Sequence, residues 1–136
     1  MKPMLPQVRR FHAACTEELA QFIAQSPGIR LAQLTTVDGF EVAVQPEDTA
    51  APAKLAAMSS SLQAVSEALV GQSGLHGSRN VMVECDDGYV LVLPIAEVKP
   101  ALSLLVIANR TAILGHLMWS AKNTIASVAR AMARAT

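Results

Sequence analysis

Two β-hairpin signals bracket one helix rich in small residues, and few folds accommodate that order. The first reads LAQLTTVDGFEVAV from Leu31 to Val44 and turns at Asp38-Gly39. The second reads VMVECDDGYVLVLPI from Val81 to Ile95 and turns at Asp86-Asp87-Gly88. Between them, over about residues 51–70, runs a helical segment full of Ala and Ser. The pattern specifies a scaffold that dimerises, and no stretch of it reads as an active site.

The flanking elements follow from periodicity. Val8, Phe11, Cys15, Leu19 and Phe22 share one helical face, predicting a first helix from Pro6 to Gln25 that Ser26-Pro27-Gly28 stops. A strand from Ile29 to Val37 carries leucines on both faces, as suits one covered on both sides. Asp38-Gly39 matches the two-residue turn that needs positive φ at both positions. Phe40, Val42 and Val44 then alternate with Glu41, Ala43 and Gln45 until Pro46 ends the ladder.

The second helix starts near Thr49 or Pro52. Leu55, Met58, Leu62, Val65 and Leu69 form its apolar stripe. Ala53, Ala57, Ser60, Ser61, Ala64 and Ala68 form a small-residue face beside it, which lets another backbone come close. Gly71 and Gly74 end it. Strands follow over Arg79 to Cys85, Tyr89 to Leu93 (stopped by Pro94) and Leu102 to Ala108, the last apolar enough to be central. Thr111 caps a third helix reaching about Ala133, with a buried stripe of Ile113 or Leu114, Leu117, Ala121, Ile125, Val128 and Met132. His116, Trp119 and Asn123 fall on another face. Trp119 either anchors a partner or packs under the first helix. The expected order is αββαβββα in a single domain over residues 1–136.

Bulk properties narrow the function. The 136 residues are 51% hydrophobic with zero net charge, enough to bury a core and to leave apolar surface for a partner to cover. The longest apolar stretch, Ala101 to Ala108, is strand-sized and far below the ~20 residues of a membrane span, so no membrane insertion is expected. Met1 to Pro6 is too short and proline-rich for a signal peptide. Two cysteines, Cys15 and Cys85, sit in apolar patterns and read as small buried hydrophobes of a reducing, cytoplasmic setting. Charge is uneven: residues 38–98 carry nine acids and two bases, whereas residues 99–136 carry Lys99, Arg110, Lys122, Arg130 and Arg134 and no acid. That basic end reads as a docking face for an acidic partner or as cations solvating a helix terminus.

Sharper chemistry is excluded residue by residue. His12 and Cys15 lie three apart on a helix, yet three His and two Cys offer no paired metal-ligand spacing. Cys85 adjoins Asp86 and Asp87, the wrong charge for an activated thiolate. Those two acids and Asp38 are turn residues, not an acid–base pair. The glycines at 71, 74 and 77 follow a helix, the reverse of a phosphate cradle. A neutral chain with 4% aromatics does not suit nucleic acid. Neither catalytic residues, metal nor cofactor are expected.

With the element order on the page, the motifs TTVDGFEVA (Thr35 to Ala43), LAAMSSSLQAVSEALV (Leu55 to Val70) and NVMVECDDGYVLVLPI (Asn80 to Ile95) resemble the roadblock/dynein light-chain family in its bacterial form. The likeness spans about residues 8–132. It departs at Asn109-Arg110-Thr111, where many relatives carry a more acidic turn. The resemblance implies a five-stranded antiparallel sheet with helices on both faces, an α/β (α+β) fold of roadblock/profilin-like shape. It implies a homodimer in which the third strands pair edge to edge and the second helices pack side by side. The interface residues would be Ala57, Ser61, Ala64, Ala68, Val81 and Val83.

It also implies a regulator or scaffold whose partner is a Ras-like small GTPase resting on the paired second helices. Lys54, Gln63, Ser66 and Glu67 are read as exposed there, with no arginine. Stimulated GTP hydrolysis would then act by ordering the GTPase's own residues. The alternatives are a small-ligand sensor of profilin or PAS/GAF-like shape, which the apolar strands disfavour, and a purely structural assembly subunit.

Overall fold

The computed structural model describes residues 5–135. The elements are α1 (Pro6–Arg9), α2 (His12–Gln25), β1 (Ile29–Thr36), β2 (Glu41–Gln45), α3 (Pro52–Gln72), β3 (Val81–Cys85), β4 (Gly88–Ile95), β5 (Leu102–Asn109) and α4 (Leu114–Arg134). The expected first helix is broken. Phe11 leaves helical geometry only slightly, but its amide donates to Val8 O, a tightened turn that separates α1 from α2. The predicted face survives the break: Val8, Phe11, Cys15, Leu19 and Phe22 are all buried.

All strands are antiparallel, in the order β2-β1-β5-β4-β3. The five-stranded sheet with helices on its two faces is the architecture the resemblance implied. β5 lies at the centre, as its apolar run required, with Leu102, Leu104, Leu105 and Val106 buried. On one face α1, α2 and α4 enclose the larger core, which includes Phe11, Phe22, Leu34, Leu91, Leu104 and Leu117. Each such side chain contributes about 1.5–3 kcal/mol on burial. On the other face Leu31, Val44, Val92 and Leu105 form a smaller cluster beneath Leu55 and Leu62 of α3.

Several local expectations are corrected. Only Gly39 of the first turn has positive φ, at 94°. Its amide donates to Thr36 O at 3.0 Å and the Thr36 amide to Phe40 O at 2.8 Å, so the loop is three residues with glycine in the left-handed position. Register slips by one residue between Leu34 and Thr35, at Val42 of the facing strand. This bulge sends Val42 and Ala43 into the larger core, while Val44 joins the smaller one. β4 does not stop at Pro94 but pairs with β5 through Ile95, because β3 reaches no farther than Val92 and leaves that edge of β4 open. Thr111 is not a cap: α4 begins after Ile113 without a side-chain cap.

The strand interiors are less apolar than expected, since Gln33, Thr35 and Ser103 are buried. The Thr35 and Ser103 hydroxyls lie 3.0 Å apart across β1 and β5 and satisfy one another. Among the described residues no helix is long and apolar enough to cross a membrane.

Candidate interaction surface

α3 begins at Pro52, whose fixed φ suits a first helical position. Its carbonyl accepts from Gln33 Nε2 at 2.8 Å, pinning the helix start to β1. Ser60 Oγ donates to Val37 O at 2.6 Å and pins its middle to the first hairpin. Held by these anchors, the helix turns Ala56, Ser59 and Gln63 toward the sheet, at the i, i+3, i+7 spacing of one face.

What remains outside is mostly apolar. Ala57, Ser61, Ala64 and Ala68 are exposed in one line, as their spacing predicted. The larger stripe next to it splits: Leu55 and Leu62 are half-buried on the sheet, but Met58, Val65 and Leu69 are 59%, 66% and 66% exposed. A helix of 21 residues with Lys54 and Glu67 as its only charges has no face made for water. That scarcity of charge was the readable signal of an apolar outer side.

β3 continues this surface. It is the edge of the sheet, and all its residues but the half-buried Val81 are exposed. Val81 and Val83 stand opposite Val92 and Val90, on the sheet face that α3 covers. Met82 lies on the other face, 47% exposed. β3 has strand pairing on one side only, so a row of backbone donors and acceptors is open on the other. Its far end is fastened: Arg110 Nη1 donates to Glu84 Oε2 at 2.5 Å while the guanidinium sits 5.6 Å from the Tyr89 ring centre. The Glu84 hydrogen bond, then that of Tyr89, holds the Arg110 charge more firmly than usual.

The predicted partner-facing residues do not act as one set. Lys54 and Glu67 are exposed, and Ser66 is half-buried 3.3 Å from the Ser78 hydroxyl. Gln63, expected on the surface, is buried, because it falls on the helix face defined by Ala56 and Ser59.

The remaining reactive groups are scattered. Cys15 is buried, and desolvation, then the charge of Glu18, pushes its thiol up to about 11. Cys85, expected to be buried, is exposed, because β3 is an uncovered edge. His12 Nδ1 donates to Val42 O at 2.8 Å, which ties α2 to β2. Among the described residues no three His, Cys, Asp or Glu converge to hold a metal ion. Trp119 is resolved in favour of exposure, together with His116 and Asn123.

Comparisons agree with this architecture. The profile of the Roadblock/LC7 domain family matches residues 15–108. Three solved structures share the fold. A Roadblock/LC7 domain from Streptomyces avermitilis is 22% identical with a TM-score of 0.76, over 83% of this chain and 92% of its own. The gliding protein MglB from Thermus thermophilus is 19% identical with a TM-score of 0.77, over 91% and 92%. MglB from Myxococcus xanthus is 13% identical with a TM-score of 0.74, over 100% and 97%. The comparison with curated proteins yields no match.

Proposed function

This chain belongs to the Roadblock/LC7 domain family, and on that footing we propose that it is a cytoplasmic homodimer that regulates or scaffolds a Ras-like small GTPase. It is not an enzyme; domains of this family are regulators and scaffolds. The observation that carries the reading is the apolar outer face of α3, continuous with the open edge of β3.

Two-fold pairing of β3 with its copy joins two sheets into one and sets the two α3 helices side by side. Ala57, Ser61, Ala64 and Ala68 allow the close approach. Met58, Val65 and Leu69 of both copies together contribute about 6–12 kcal/mol when covered. That matches the roughly 4–15 kcal/mol cost of association, and the strand pairing adds to it.

The paired helices then form the platform for the GTPase, with Lys54 and Glu67 as exposed charges at its margin. α3 carries no arginine. Stimulation of hydrolysis therefore works by ordering the GTPase's own switch residues rather than by donating a cation to the transition state.

Light scattering at micromolar concentration tests the dimer, with a mass of twice 14.4 kDa expected and a monomer overturning it. Capture of a Ras-like GTPase loaded with GDP or with a non-hydrolysable GTP analogue tests the partner. Preference for the GTP form supports a regulator and equal capture a scaffold. Capture of neither form removes the GTPase from the reading.

A further inference from the structure

We propose that the outer face of α4 docks an acidic segment of another protein, with Trp119 as the apolar anchor. This surface lies on the sheet face opposite α3, so it stands or falls independently of the dimer.

Trp119 is 64% exposed, an unusual position for the residue type with most to gain from burial. His116 stacks against it, with ring centres 6.1 Å apart and planes 28° from parallel. The His116 Nε2 in turn lies 3.5 Å from Gln25 O at the end of α2. The indole is therefore braced on the outside of the fold, as an anchor is. At 119, 122, 123, 126 and 130 the spacing places Trp119, Lys122, Asn123, Ala126 and Arg130 on one helical face, and all five are exposed.

The charge on this face has one sign. No acid occurs after Glu97 in the chain. Arg130 donates to Ser127 Oγ at 3.0 Å, and neither it nor Lys122 has a carboxylate partner among the described residues. Acids on neighbouring elements are Glu17 and Glu18 of α2, and Glu97, which shares a shallow cleft with Lys99, Ala129 and Ala133. A tryptophan with cations one and three turns away fits a chain that brings carboxylates to the cations and an apolar side chain to the ring. A lipid surface fits less well, because Ala126 between the charges is too small to enter a bilayer.

Trp119 is the only tryptophan, so its fluorescence reads the site directly. The full chain is titrated with a synthetic peptide of alternating Glu and Leu, with its Lys-and-Leu counterpart, and with phosphatidylglycerol vesicles. A saturable blue shift with the acidic peptide alone is expected. Binding should weaken about tenfold or more in the double variant Lys122→Glu, Arg130→Glu, with its circular dichroism unchanged. No saturable shift with the acidic peptide overturns the proposal. So does equal binding by the double variant, or a larger response to the vesicles than to the peptide.

Discussion

Val65 stands 66% exposed on the outside of α3, while Gln63, two residues before it, is only 9% exposed beneath the same helix. A valine outside and a glutamine inside reverse the usual order. Gln63 Oε1 accepts no hydrogen bond from the described residues, nor do Ser59 Oγ and Gln33 Oε1. The inner face of α3 is thus polar and incompletely paired, whereas its outer face is apolar and uncovered. Both halves of this inversion make measurable claims.

Charging the outer face separates the copies. Val65→Asp with Leu69→Asp places carboxylates in the seam and should give a monomer by light scattering where the parent is a dimer. Both side chains are exposed in the single chain, so the far-ultraviolet circular dichroism should not change.

Relieving the inner face stabilises the fold. Gln63→Met keeps the length of the side chain and removes an acceptor without a donor, at the loss of the 3.3 Å hydrogen bond that Gln63 Nε2 donates to the exposed Glu67. The gain expected is about 1 kcal/mol, or about 3 °C in Tm by thermal melting.

The two thiols differ in access. Cys85, exposed in the single chain at the end of β3, should react with a maleimide in the monomeric Val65→Asp, Leu69→Asp variant, and Cys15 only after unfolding. The Cys15 thiol, at about 11 when folded against 9.0 for its ordinary value, also makes stability depend on pH. Below pH 9 both states keep the proton. From about 9 to 11 the unfolded chain loses it while the native state holds it, so stability falls as pH rises through that window. The fall is on the order of 2 kcal/mol. Urea unfolding at pH 8 and 10.5 should show this decline in the parent and lose this part of it in Cys15→Ala.

Two glycines give opposite responses to alanine. At Gly88 a Cβ would overlap the Ala108 carbonyl oxygen, which belongs to rigid central backbone. Gly88→Ala should cost about 1–3 kcal/mol or more in chemical denaturation. Gly71 lies in the last turn of α3 with open space around it, and Gly71→Ala should gain about 0.5–1 kcal/mol.

Regular apolar spacing is the most legible feature of the sequence. Val8 to Phe22 and Leu102 to Ala108 can be placed from it because each must fill a core whose position the period sets. Features decided by distant neighbours are not legible. Whether Leu69 is covered depends on how far the sheet extends beneath it. Cys85 looks like a core residue until β3 is known to be an edge. Pro94 reads as a stop unless β3 is known to end short of it. Gln63 looks like a surface residue because its type is commonly exposed, and only the pins at Pro52 and Ser60 determine which way α3 faces. The candidate surface is half legible for the same reason: its small residues announce themselves, and the spacing of its large ones does not say which of them the sheet covers.

The strand order carries a consequence for how the chain is made. The two hairpins share no strand pairing, because β5 lies between them. A two-stranded hairpin is marginal by itself. Until residue 109 has left the ribosome, the nascent chain holds two half-sheets with no strand pairing between them and only α3 lying across both. One strand inserted late closes the sheet, so a chain cut short before Leu102 loses the whole sheet rather than one-fifth of it.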